Sequence, residues 1–320
     1  MSYPQAPGVS RHTMERMSDN TSQRKALQQL ESESDYDRIT YYQKPFMVLW
    51  AAVQEASSEL QDDYAISPEL AQNGGWLIVS QDSGVAIMVG EEDHLRLQVI
   101  GTGLCPKECL ETANRVASLI ETALPFAYDE RLGYLTACPT NIRTGLRASI
   151  MLHLPMLTAT DQMDRIIGYP GSRGCAVRGT YGEGSQAVGG FYQVSNQVTL
   201  GASAAELTDK LVETATTIID AEKKAREQVR SQNEPALRDR IYRAAGTLRS
   251  AYLIDTNEAV QCISDVLIGL QMGFLSGMDA QKLYALEEHI RPAMLTGAPQ
   301  DRDKKRAEIL REATKPIQFN

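Results

Sequence analysis

Histidine, tryptophan and cysteine are scarce in this 320-residue chain, at 4, 2 and 5 residues, and each scarcity closes off a class of chemistry. The five cysteines, Cys105, Cys109, Cys138, Cys175 and Cys262, form neither a dense disulfide framework nor a repeated C-x-x-C zinc pattern. Cys105 and Cys109 stand four apart with no second pair or histidine at ligand spacing, so they read as ordinary thiols and no metal ligand is assigned. The spacing of His94 and His153 suggests neither a Ser-His-Asp triad nor a metal set. No apolar run approaches the roughly 20 residues of a membrane span, and the polar N-terminus lacks the apolar core of a signal peptide, so the expected compartment is the cytoplasm, with no membrane partner. Positive charge is short as well. The 32 Lys+Arg against 41 Asp+Glu leave a net charge of -9, which argues against nucleic acid as a direct partner while allowing local arginine clusters that grip phosphate. A Walker sequence is also missing, because the glycines between 179 and 190 are not followed by Lys-Ser/Thr.

What is present is patterned. Residues 1–35 are polar and have no sustained apolar face, the composition of a poorly ordered or loosely docked segment. From Phe46 to Leu60 the apolar spacing, including Met47, Leu49, Val53 and Leu60, predicts a helix. Two apolar runs, Trp76 to Val79 and Val85 to Val89, flank Gln81-Asp82-Ser83-Gly84 and predict an antiparallel hairpin, with a further strand at Leu95 to Ile100. Pro106 predicts the start of a helix carrying Val116 and Ile120 inward. More sheet is expected at 147–154, 175–178 and 192–199, with Gly182, Gly184, Gly189 and Gly190 marking a long flexible loop.

Ser203-x-x-Glu206 is a capping-box pattern that opens a helix carrying Leu207, Leu211, Ala215, Ile218, Ala225 and Val229 on one face. Gln232-Asn233-Glu234-Pro235 breaks that helix and sets the expected boundary between residues 36–232 and a helical domain at 233–320, which ends in a charged helix from about Pro299 to Thr314.

Several separated blocks carry chemistry. Cys138-Pro139-Thr140-Asn141 leads into Arg147-Ala148-Ser149-Ile150-Met151 and then Leu152-His153-Leu154-Pro155. An acidic block, Gly90-Glu91-Glu92-Asp93-His94-Leu95-Arg96, precedes it, and Arg178-Gly179-Thr180-Tyr181-Gly182-Glu183-Gly184-Ser185 follows. Taken with Ile66-Ser67-Pro68-Glu69-Leu70 and the tail segments Asp239-Arg240-Ile241-Tyr242-Arg243, Ser264-Asp265-Val266 and Arg302-Asp303-Lys304-Lys305-Arg306-Ala307, the chain resembles the phosphagen kinase superfamily and, within it, the bacterial protein arginine kinases.

The resemblance implies an α+β fold: a phosphagen-kinase-like catalytic domain with an antiparallel sheet flanked by helices, followed by a small all-α C-terminal domain. It implies transfer of the γ-phosphoryl group of ATP, with Mg2+ held mainly by phosphates and water, to arginine side chains of cytoplasmic proteins. By resemblance Glu92, Cys138 and Glu183 are catalytic. Arg11, Tyr64, Arg96, Arg147, Ala148, Ser149, Ile150, Met151, Arg178, Gly179, Thr180, Tyr181, Gly182 and Glu183 line the nucleotide, and Arg302, Asp303 and Arg306 bind phosphoarginine. Arg302 and Arg306 lie one helical turn apart, the spacing for both to face one phosphate. Implied partners are proteins with exposed arginine, a McsA-like activator, a Clp-type protease and further copies of the chain.

Three positions depart from the pattern. Thr13 stands where a second arginine follows Arg11, Tyr64 replaces a histidine, and Arg143 replaces a glycine inside the cysteine block. If that glycine serves a positive φ, arginine obstructs it; if the backbone is ordinary, Arg143 supplies a missing charge. The segment before the acidic block is also abbreviated. These departures keep open a second reading, an impaired pseudokinase that binds phosphoarginine as an adaptor. A kinase of small guanidino compounds ranks third.

Overall fold

A computed structural model of the chain describes residues 46–52, 76–80, 84–90, 93–171, 173–179 and 187–320. They fall into two compact units, one from residues 1–148 with 196–212, the other from 149–195 with 213–320.

The first unit holds four strands, β1 (Phe46–Ala52), β2 (Trp76–Ser80), β3 (Val85–Val89) and β4 (Leu95–Val99), paired in chain order as an antiparallel meander. The hairpin and third strand expected from sequence are β2 to β4. The helix expected from Phe46 is not: residues 46–52 are strand, with Met47 opposite Val79 and Leu49 opposite Leu77. Phe-Met-Val-Leu-Trp is a continuous apolar and aromatic run, which periodicity alone does not assign, and pairing with β2 decides it. Val53 and Leu60 lie outside the described residues.

Helix α1 (Pro106–Ala123) starts with proline at its first turn and turns Thr112, Val116 and Ile120 inward, each one helical turn apart. Val116 and Ile120 close a core over Ile78, Val85, Ile87 and Val89. Full burial of one such side chain is worth roughly 1.5–3 kcal/mol, so this stripe fixes the helix on the sheet. A short hairpin follows, β5 (Tyr128–Asp129) and β6 (Gly133–Tyr134).

The second unit contains a three-stranded sheet from β7 (Ser149–His153), β8 (Cys175–Gly179) and β9 (Phe191–Asn196), in the order β7-β9-β8, and two short helices, α2 (Pro155–Ala159) and α3 (Met163–Gly171). Gly189 and Gly190, expected in a flexible loop, are instead buried in a tight turn at φ 68° and 71°. A Cβ on Gly189 would stand 2.9 Å from Val260 Cγ1, so the glycine is kept for close packing. Gly182 and Gly184 lie outside the described residues.

Helix α4 (Ala204–Ser250) opens with the predicted capping box. Glu206 N donates to Ser203 Oγ at 3.2 Å, while Ser203 N donates back to Glu206 Oε2 at 2.7 Å. It is interrupted at Asn233 (φ −158°, ψ 66°), whose Oδ1 accepts from Ala236 N at 3.2 Å. Asn233 therefore caps a new helical run, and Pro235 falls in its first turn, where no N–H is needed. Beyond it come α5 (Thr256–Gln271), α6 (Ala280–His289) and α7 (Pro299–Thr314). A two-residue ladder of β10 (Leu275–Ser276) with β11 (Gln318–Phe319) adds a feature that sequence did not announce. No helix among the described residues is long and apolar enough to cross a membrane.

Candidate active site

In the first unit the cysteine block is a pinned loop. Cys138 caps a single 3-10 turn, Pro139–Asn141, with its carbonyl accepting from Asn141 N at 3.0 Å and from Thr136 Oγ1 at 2.7 Å. Its half-buried sulfur lies 2.9 Å from Thr140 Oγ1. Asp93 Oδ1 accepts from Ala137 N at 2.6 Å, so the acidic block and the cysteine block meet.

Two residues that sequence reasoning missed hold the loop from behind. Thr199 Oγ1 lies within hydrogen-bond reach of Thr140 O at 2.9 Å and Ile142 O at 2.6 Å. Asn196 accepts from Ala148 N at 2.7 Å and donates to Leu146 O at 3.2 Å. No spacing signal distinguished them, because a polar residue near the end of a strand looks like any solvated position.

Arg143 resolves the question its substitution raised. It sits at φ 91°, the left-handed region that favours glycine, so the backbone here is not ordinary. Its N–H donates to Tyr134 O at 3.1 Å and its carbonyl accepts from Tyr134 N at 3.0 Å, and these two bonds hold the conformation. Opposite it, Gly133 leaves no room for a side chain: a Cβ would lie 2.4 Å from Arg143 O. The Arg143 guanidinium is exposed and makes no hydrogen bond among the described residues; its charge helps hold the Glu206 carboxyl below the usual range, after the larger effect of Glu206's bonds to Ser203. Arg147 is exposed and has no hydrogen bond or ion pair among the described residues, and Arg96 is exposed on the edge strand β4.

In the second unit β7 alternates its side chains. Ser149 and Met151 are exposed, whereas Ile150 and Leu152 face the core. The Ile150 side chain is therefore a packing group, and only its backbone could meet a nucleotide. Ser149 Oγ accepts from Gln193 Nε2 at 3.0 Å. Arg178 on β8 is exposed, with no hydrogen bond or ion pair among the described residues, and Gly179 ends that strand. Arg11, Thr13, Tyr64, Glu92, Thr180, Tyr181, Gly182 and Glu183 lie outside the described residues.

The tail arginines behave differently. Arg306 is 1% exposed. Its Nε donates to Ile290 O at 2.8 Å, and its Nη1 donates to Ile254 O at 2.9 Å and to Asp303 Oδ1 at 2.6 Å. The expectation from spacing is that Arg306 faces one phosphate together with Arg302; here Asp303 and two carbonyls engage its Nε and Nη1. Arg302, half-exposed, donates to Gly297 O at 3.1 Å. The two earlier tail motifs meet each other. Arg240 grips Asp265 through two bonds, Nη2 to Oδ1 at 2.6 Å and Nε to Oδ2 at 3.0 Å. Burial raises the Asp265 pKa, with Arg240 opposing it.

His153 and Ser264 join through Nε2 and Oγ at 2.7 Å, and the imidazole stacks on Phe191 with ring centroids 4.7 Å apart. Burial, followed by the Arg226 charge, lowers the His153 pKa to about 3, so the ring is neutral and structural. Buried Glu222 accepts from Met156 N at 3.2 Å, Leu157 N at 3.0 Å and Arg226 Nε at 2.7 Å, capping α2 from a neighbouring helix. Burial still moves its pKa upward against those bonds.

Two families match this architecture end to end. The catalytic domain described as "ATP:guanido phosphotransferase, C-terminal catalytic domain" matches residues 18–225, and "Protein-arginine kinase McsB C-terminal domain" matches 234–319, either side of the kink at Asn233. A protein-arginine kinase of Caldanaerobacter subterraneus subsp. tengcongensis is 45% identical over 259 residues, covering 78% of this chain and 77% of the relative. One from Bacillus subtilis is 40% identical over 260 residues, covering 79% and 72%. Among solved structures, a lombricine kinase has a TM-score of 0.51 at 22% identity over 64% of this chain and 60% of that one, a likeness of fold.

Proposed function

This chain belongs to the ATP:guanido phosphotransferase family, and on that premise we propose that it moves the γ-phosphoryl group of ATP onto arginine side chains of proteins. The observation that carries the reading is the end-to-end pair of matches, a guanidino-kinase catalytic domain followed by the C-terminal domain of protein-arginine kinases. The comparisons lend the adaptor alternative no support.

The chemistry asks for two kinds of side chain. A guanidinium is always protonated at neutral pH and its lone pairs are delocalised, so it attacks only where carboxylates orient it and draw a proton away. Glu92 and Glu183 take that role. The triphosphate asks for planar cations, and Arg96, Arg147 and Arg178 supply them, with Arg11 and Tyr64 completing the basket. The exposed guanidinium groups of Arg147 and Arg178, uncommitted among the described residues, suit oxygen-rich phosphates. The edges of Ala148 to Met151 and of Gly179 to Gly182 line the same ligand through backbone and small side chains. Mg2+ would be held mainly by the phosphates and water rather than by a carboxylate cage, and would offset negative charge during the transfer. Cys138 orients the guanidinium electrostatically rather than forming a covalent bond.

In this reading residues 36–232 are the catalytic domain and 233–320 a regulatory domain, and the segment 1–35 lies outside the described residues. Arg302 and Asp303 touch phosphoarginine there, and Arg306 holds Asp303 in place. The enzyme works in the cytoplasm as a homo-oligomer, on proteins with exposed arginine, alongside a McsA-like activator and a Clp-type protease.

The test is incubation of the full chain with γ-labelled ATP, Mg2+ and an arginine-rich protein. The expected product is labelled protein that loses its label in acid, as a phosphorus–nitrogen bond does. Acid-stable label, or transfer to free arginine only, would overturn the reading.

A further inference from the structure

Cys105 and Cys109, two thiols with no part in phosphoryl transfer, stand one helical turn apart at the start of α1. Cys105 is the residue before the helix (φ −123°, ψ 40°), and Cys109 N donates to its carbonyl at 3.1 Å. Both are free and half-exposed. Their sulfurs converge on one point: a Cβ on Gly101 would lie 2.5 Å from Cys105 Sγ and 2.8 Å from Cys109 Sγ. The absent side chain of Gly101 is thus the space both sulfurs occupy. Cys105 Sγ also lies 3.5 Å from Thr102 O.

This geometry favours something between the sulfurs over a bond between them. Side chains one turn apart on a helix keep Cβ atoms about 5–6 Å apart, whereas a disulfide needs about 3.5–4.5 Å. Zinc asks for four ligands, and no group of three or more His, Cys, Asp or Glu side chains able to hold a metal exists among the described residues. Thiolates select the soft ions Cu(I) and zinc, and of these two the filled-shell monovalent Cu(I) is the one satisfied by a pair of sulfurs.

We propose that Cys105 and Cys109, converging over Gly101, form a two-thiolate binding site for one Cu(I) ion. Binding is an exchange without redox. Both S–H bonds release their protons to solvent, two Cu–S bonds form, and copper stays at +1, so the site passes from neutral to one negative charge. The bound ion ties the cap of α1 to its next turn, after the strand that carries Arg96. The site is independent of the kinase reading and is tested without an activity assay.

The experiment presents Cu(I), as its coloured complex with bicinchoninate, to the reduced full chain without oxygen. One equivalent should leave the dye, and X-ray absorption should show copper with two sulfur neighbours. Cys105→Ser and Cys109→Ser should each abolish the transfer, with circular dichroism confirming that both variants fold. Cys138→Ser should retain it. Gly101→Ala, which places a methyl against both sulfurs, should weaken transfer at least tenfold while both thiols remain. Undiminished copper capture by the serine variants, loss of capture in Cys138→Ser, or no competition with the dye by the unaltered chain would each overturn the proposal.

Discussion

Arginine meets opposite fates in the two halves of this chain. In the tail, Arg240 is clamped by both oxygens of Asp265, and Arg306 is sunk beneath the surface against two carbonyls and Asp303. Among the catalytic blocks, Arg143, Arg147 and Arg178 hold their guanidinium groups in solvent without a hydrogen bond among the described residues. The residue type is the same; the waiting acceptors differ. Where carbonyls at Ile254 and Ile290 need donors, a buried arginine completes the fold. Where none wait, the charge stays available for an anionic ligand. Side-chain commitment therefore separates the arginines that complete the tail from those whose charge is uncommitted among the described residues.

Breaking the tail side of that comparison should have the largest effect on stability. Arg306→Met removes a buried charge and strands Asp303 and two carbonyls, and we expect a loss of about 3–5 kcal/mol. Urea unfolding monitored by tail-specific hydrogen exchange would measure it; a change below about 1 kcal/mol would mean that the burial is incidental. On the catalytic side, Glu183→Gln and Glu92→Gln should each lower turnover by roughly 10²- to 10⁴-fold with folding intact. Turnover like that of the unaltered chain in both would remove these carboxylates from the mechanism.

Acid sharpens the comparison, because the second unit also buries a neutral histidine. The unfolded chain binds a proton at His153 near pH 6.5, whereas the folded chain refuses it until about pH 3. Stability from this group is complete above pH 6.5 and is lost as the pH falls toward 3, at up to about 1.4 kcal/mol per pH unit. Between pH 6.5 and 5 the loss is roughly 2 kcal/mol. His153→Gln, which can keep a hydrogen bond to Ser264, should flatten that limb of the stability curve. An unchanged slope would place the acid sensitivity elsewhere.

The solvent-held arginines should show the converse pattern. Arg147→Ala and Arg178→Ala are expected to weaken Mg-ATP binding about tenfold or more, the loss of one charge-assisted contact, and to move unfolding by less than about 0.5 kcal/mol. Calorimetric titration beside a thermal melt reads both. Destabilisation without a change in affinity would reverse their assignment.

Much of the fold was legible because its signals are local. The capping box at Ser203 and Glu206, Pro106 at the start of α1 and the break at Asn233 each depend on a few adjacent residues, and each is realised in hydrogen bonds or dihedrals. The strand at Phe46 was misread because a continuous apolar run fits either period and only its partner strand arbitrates. Gly189 and Gly190 looked like a loop because glycine signals permissive backbone, whether that freedom serves motion or the close approach of Val260. Site blocks were visible as motifs, but their supports were not. Thr199 and Asn196 lie more than 45 residues from the loop they hold, and no local pattern reports a contact of that range. The tail motif hid its asymmetry, since spacing puts Arg302 and Arg306 one turn apart and says nothing of the burial that seals Arg306 against two carbonyls while Arg302 stays half-exposed.

Arg143 lies between the two classes and should give the smallest effect. Its backbone is committed, through Tyr134 and a φ of 91°, while its side chain is free to reach a ligand. Strain of this kind costs on the order of 1–3 kcal/mol in a non-glycine residue, and glycine returns part of the relief as extra freedom in the unfolded chain, about 0.4–1 kcal/mol. Arg143→Gly should therefore leave stability equal or raise it by about 1 kcal/mol. If the guanidinium adds a screened charge to the nucleotide basket, the same variant should weaken Mg-ATP binding a few-fold, and Arg143→Lys should restore most of that. Arg143→Ala separates the causes, since it removes the charge but keeps the strain. Equal affinity in the glycine and arginine forms, with the glycine form more stable, would show that this arginine is only tolerated at a position shaped for glycine.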